Sequence, residues 1–77
     1  MKLSQLCRQQ CEESISELKI ARRAWDGRAH LEGVALFEEG FLKRKLVGVQ
    51  YFLVADELRH LYSASFEDAT ADDWDVI

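Results

Sequence analysis

The chain has 77 residues, 48% of them hydrophobic, and a formal net charge of -4. The apolar share excludes an intrinsically disordered chain. The acidic balance argues against a nucleic-acid polymer as partner, because such binding relies on neutralising phosphates.

Leu3, Leu6, Cys7, Cys11, Ile15 and Leu18 recur at three- and four-residue spacing between polar neighbours. This spacing predicts an amphipathic helix over about 3–18. Cys7 and Cys11 fall on one face of it, too few for a disulfide framework and suited to act as small buried hydrophobes. Residues 19–25 then alternate, with Ile20, Arg22 and Ala24 on one side and Ala21, Arg23 and Trp25 on the other. They predict a strand ending at Asp26-Gly27, a hairpin signal.

His30 to Phe37 is expected as the return strand, with Gly33 a bulge or a point of close approach. Val34, Phe37, Phe41 and Leu42 also fit a helical face, but Gly33 and Gly40 would both weaken a helix. Glu39-Gly40 suits a turn and Phe41 to Val47 a further strand. Gln50 to Ala55, rich in aromatic and branched residues, reads as a central strand. Asp56-Glu57-Leu58 makes the next turn, and Arg59 to Ser63 returns antiparallel. From Tyr62 to Asp73 short polar residues compete for backbone hydrogen bonds, which predicts a loop without a helix. Trp74 to Ile77 is expected as a terminal strand or edge.

One helix followed by four to six strands gives a single α+β domain over 1–77, with the helix covering one face of an antiparallel sheet. A domain this small buries only about 60% of the surface its unfolded chain exposes. Self-association, as a dimer or tetramer, is therefore the expected support. No apolar run reaches membrane-spanning length and no signal-peptide core precedes the helix, so the expected location is cytoplasmic.

Catalytic signatures are lacking. His30 and His60 sit in no nucleophile, metal or acid/base motif, and Cys7 and Cys11 have neither finger nor ribbon spacing. There is no phosphate-cradling glycine loop. Glu12-Glu13, Glu38-Glu39 and Asp72-Asp73 are adjacent pairs whose side chains do not converge. The expectation is a protein that is not an enzyme and holds no metal or cofactor.

Binding has better candidates. A nucleotide needs a flat apolar surface for its base, cations for phosphate and acceptors for ribose hydroxyls. Stacking of a base on an aromatic ring contributes about 1–3 kcal/mol, and Arg makes bidentate bonds to phosphate. Trp25 and Trp74, Arg22 or Arg23, and Asp72 or Asp73 supply these groups. The segment around Arg-Arg-Ala-Trp-Asp-Gly and the closing stretch are thus expected to share one small-molecule pocket. Against this stands the plainer possibility that both indoles are core residues.

The segment Lys19-Ile-Ala-Arg-Arg-Ala-Trp-Asp-Gly27 resembles the Arg-x-x-Trp-Asn-Gly motif that opens the Thoeris anti-defence 2-like proteins of phages. Tyr62 to Val76 is similar to that family's closing pattern, Trp-x-Pro-Ser-x-x-Asp-Leu-Leu-Ala-x-Asp-Trp-x-Val. Trp25 and Gly27 match, as do Ser65, Asp68, Ala71, Asp73, Trp74 and Val76. Asp26 stands in place of Asn, Tyr62 of Trp, Ala64 of Pro, and Ala69-Thr70 of Leu-Leu. The resemblance implies a non-catalytic oligomeric sponge that sequesters a cyclic nucleotide immune signal, of the cyclic ADP-ribose type or a cyclic oligonucleotide. It adds Asp26, Tyr62 and Ser65 to the expected ligand-binding set of Arg22, Arg23, Trp25, Asp73 and Trp74. The alternative is a direct inhibitor of a host defence protein, using the acidic tail or an exposed strand edge.

Overall fold

The computed structural model describes residues 1–77. It has one N-terminal helix packed on a five-stranded antiparallel sheet, an α+β fold. In chain order the elements are α1 (Leu3–Glu12), β1 (Glu17–Arg22), a 3-10 turn (Arg23–Trp25), β2 (Ala29–Glu39), β3 (Arg44–Ala55), β4 (Leu58–Leu61), α2 (Phe66–Thr70) and β5 (Trp74–Val76). The sheet order is β4-β3-β2-β1-β5.

The first helix is shorter than the spacing of apolar residues predicts, ending at Glu12 and not near residue 18. Gln10 provides the reason. Its fully buried side-chain amide donates to the carbonyls of Ile15 (3.1 Å) and Gly33 (2.8 Å), turning the chain out of the helix and fastening it to β2. Ser14 adopts the left-handed conformation in this turn (φ 52°). Glu17 to Ile20 then pair with Val34 to Leu31, so Leu18 packs on the core from a strand. Gly33 is a close-approach point: a Cβ there would lie 2.7 Å from Gln10 Oε1 and 2.8 Å from Tyr51 Cε1. The irregularity in β2 falls instead between Leu36 and Phe37.

Three further expectations are corrected. The strand predicted for residues 19–25 ends at Arg22, because Arg23 to Trp25 coil into a 3-10 turn. The two strands expected over 41–47 and 50–55 are one continuous β3 beginning at Arg44, paired along β2 as far as Glu39. The closing stretch does contain a helix, the five-residue α2. Ser65 caps it by accepting a hydrogen bond from the Asp68 amide at 3.2 Å, and such a cap satisfies a donor that a short helix leaves open.

The core is small. Leu3 and Leu6 of α1 meet Ile20, Leu31 and Trp74, with Trp25, Tyr51, Leu53 and Tyr62 packed around them. Trp74 is fully buried, and eight of the 77 residues are buried in all. No helix is long and apolar enough to cross a membrane.

Candidate functional site

The two sequence segments expected to share a pocket do converge, through bonds within the chain. Arg22 closes β1, and its Nε donates to Asp73 Oδ1 and its Nη1 to Asp68 Oδ1, both at 2.8 Å. The second Asp73 oxygen accepts from the Ala24 amide at 3.0 Å, fixing the 3-10 turn. The Tyr62 hydroxyl donates to Asp68 Oδ2, and Trp74 Nε1 donates to the Asp68 carbonyl at 2.9 Å. Arg22, Asp68 and Asp73 thus clamp α2 and the start of β5 against the end of β1.

The electrostatics follow from these bonds. Burial opposes ionisation of Asp68, but the Tyr62 hydroxyl and the Arg22 guanidinium hold its carboxyl below the ordinary range. Arg22 does the same for Asp73, assisted by the Ala24 amide. Burial and its bond to Asp68 push the Tyr62 hydroxyl above its usual value. With 13% of its side chain exposed, Arg22 commits its Nε and Nη1 to these two carboxylates.

Trp25 ends the 3-10 turn and stands differently from Trp74. Its ring packs edge-on against Trp74 (centroids 5.1 Å apart) and against Tyr62 (6.4 Å). It remains half-buried and lines an open cleft of about 390 Å³ with Ala24, Arg28, Ala29, Leu53, Tyr62 and Asp68. Arg28 is exposed at this cleft and forms no ion pair within the chain. A second cleft, of about 290 Å³, contains Arg22, Arg23, Asp26, Gly27, His30 and Asp75 along its lining. There Arg23 is paired with Asp75 at 3.0 Å.

The eight expected ligand residues therefore divide. Trp25 and Tyr62 share the first cleft, while Arg22, Arg23 and Asp26 line the second. Asp73 is held in the clamp and Ser65 in the helix cap. Trp74 is sealed in the core, so the expectation of two open indoles is corrected to one. Arg28 and Leu53 were not among the expected ligand residues, although Arg28 belongs to a basic cluster with Lys19, Arg22 and Arg23 and follows the Asp26-Gly27 turn, three positions from Trp25.

Fold and site together define a small α+β domain with an aromatic-lined cleft beside a polar clamp. No group of three or more His, Cys, Asp or Glu side chains gathers into a metal site. No family model, curated protein or solved structure matches the chain.

Proposed function

We propose that this protein is a non-catalytic, self-associating phage anti-defence protein that sequesters a cyclic nucleotide immune signal in the host cytoplasm. The observation that carries this reading is the Trp25 cleft. One indole is open beside Leu53 and Tyr62, with the uncommitted guanidinium of Arg28 at the same opening. A flat apolar ring next to a free cation suits a base joined to a phosphate. The cleft volume falls within the usual span of small-molecule sites, about 300–1,000 Å³. The resemblance of the two flanking segments to the Thoeris anti-defence 2-like pattern supplies the class of ligand. On this reading Trp25, Tyr62 and Arg28 meet the nucleotide, and Arg22, Asp68 and Asp73 hold the cleft wall.

A thermal-shift screen with cyclic ADP-ribose isomers and cyclic oligonucleotides tests the proposal. At least one should raise the melting temperature, with the shift lost in Arg28→Ala, and heating the complex should release the ligand unchanged. No shift with any of them at high micromolar concentration would reject it.

A second reading, direct inhibition of a host defence protein, draws on β4. Leu58 and Leu61 of this edge strand are 67% and 61% exposed, and an open edge can accept a strand from another chain. One stoichiometric partner retained from host lysate, together with no nucleotide effect, would favour it.

A further inference from the structure

Beyond Ala35 the sheet narrows to two strands. β1 pairs with β2 only as far as Val34, whereas β2 and β3 continue together to Glu39 and Arg44. Residues 36–47 therefore form a projecting ribbon on a molecule whose longest extent is 43 Å. A two-stranded ribbon alone is marginally stable in water. Its turn is nevertheless closely built. The Gly40 amide donates to the Lys43 carbonyl at 2.9 Å, and a Cβ on Gly40 would lie 2.5 Å from that oxygen.

The turn presents Phe41 and Leu42 to solvent, 99% and 89% exposed. Three cations follow. Arg44 lies over the Phe37 ring and pairs with Glu39, while Lys43 and Lys45 form no ion pair. The other end of the molecule has the opposite character. There α2 exposes Phe66 beside Glu67, with Asp72 nearby in the chain. The two acids are 84% and 78% exposed, and each keeps one long ion pair within the chain, Glu67 with Arg22 at 3.7 Å and Asp72 with the Met1 ammonium at 3.9 Å.

These ends cannot meet within one chain. Arg22 and Trp74 pair next to the Ala29 end of β2, and the ribbon tip lies beyond Glu39. At about 3.3 Å per residue, ten residues of strand separate them by about 33 Å. Two copies related by a twofold axis, lying antiparallel, would bring each tip to the other's α2 end. Both contacts are then made at once and the assembly closes.

We propose that the ribbon of residues 36–47 is a docking arm for a second copy of this chain. Phe41 and Leu42 would pack on Phe66, and Lys43 and Lys45 would face Glu67 and Asp72. This inference names the surfaces for the self-association proposed above. It stands on the two ends of the molecule, independently of the nucleotide cleft. A membrane is the weaker occupant, because Glu38 and Glu39 precede the two apolar tip residues with only Gly40 between.

Charge exchange tests it by sedimentation at low ionic strength. One variant carries Lys43→Glu with Lys45→Glu, the other Glu67→Lys with Asp72→Lys, and near-UV circular dichroism checks both folds. The wild type should be a dimer at tens of micromolar that weakens with added salt. Each variant alone should lose at least tenfold in dimer affinity, and an equimolar mixture should recover it, since opposite charges again face each other. A monomeric wild type, variants that still dimerise, or a mixture that stays monomeric would each overturn the proposal. A monomeric wild type whose arm binds phosphatidylserine vesicles, with binding lost in Lys43→Glu/Lys45→Glu, would assign the arm to a membrane instead.

Discussion

The two ends of this molecule use similar residues in opposite ways. At the α2 end, Arg22, Asp68, Asp73 and Tyr62 satisfy one another and Trp74 is sealed beneath them. At the ribbon end, Phe41, Leu42, Lys43 and Lys45 are exposed, and the two lysines form no ion pair. Charged and aromatic residues are therefore no guide to function until their partners are known. The clamp turns such residues inward to support a cleft, and the arm leaves them available to another molecule.

Substitutions should separate the two ends by the property they change. The largest effect is expected for Trp74→Ala, which empties a fully buried site and should cost about 3–5 kcal/mol. Against a total stability of about 5–15 kcal/mol, urea unfolding should show a chain close to its threshold. Arg22→Ala should come next, since it leaves the Asp68 and Asp73 carboxylates without their cation. Its loss in urea midpoint should far exceed that of Arg23→Ala, whose side chain is 72% exposed. Equal effects would mean that the clamp contributes nothing special.

Gly33→Ala should lower stability by about 1–3 kcal/mol through overpacking against Gln10 and Tyr51. Phe41→Ser should change the stability of the dilute chain least, by about 0.5 kcal/mol or less, while weakening association. A large loss in the dilute chain would show that the arm is part of the core.

Acid sharpens the same contrast. Asp68 and Asp73 have folded pKa values below their unfolded ones. The unfolded chain then binds more protons in that window, and stability rises with pH across it. Their contribution should be complete above about pH 4, near the unfolded carboxylate value, and lost as the pH falls through the folded values. Melting temperatures of the wild type should drop steeply there, and those of Arg22→Ala should drop less.

Much of the framework was legible in the sequence. The start of α1, the turn at Asp26-Gly27, the hairpin from Tyr51 to Tyr62 and the strand at Trp74 follow from periodicity and turn chemistry. The end of α1 was not, because it depends on Gln10 reaching Gly33 across 23 positions. Five residues of α2 leave too short a pattern to read. For the site, residue types were readable and their commitments were not. Nothing along the chain indicates that Arg22 meets two carboxylates 46 and 51 positions away, or that Trp74 is buried while Trp25 stays open.

That last difference gives the most direct measurement. Tryptophan fluorescence can be titrated with cyclic ADP-ribose isomers and cyclic oligonucleotides in the wild type, Trp74→Phe and Trp25→Phe. A nucleotide stacked on Trp25 should quench saturably in the wild type and in Trp74→Phe, and the signal should vanish in Trp25→Phe. Quenching that persists in Trp25→Phe, or no saturable change with any cyclic nucleotide, would contradict the account.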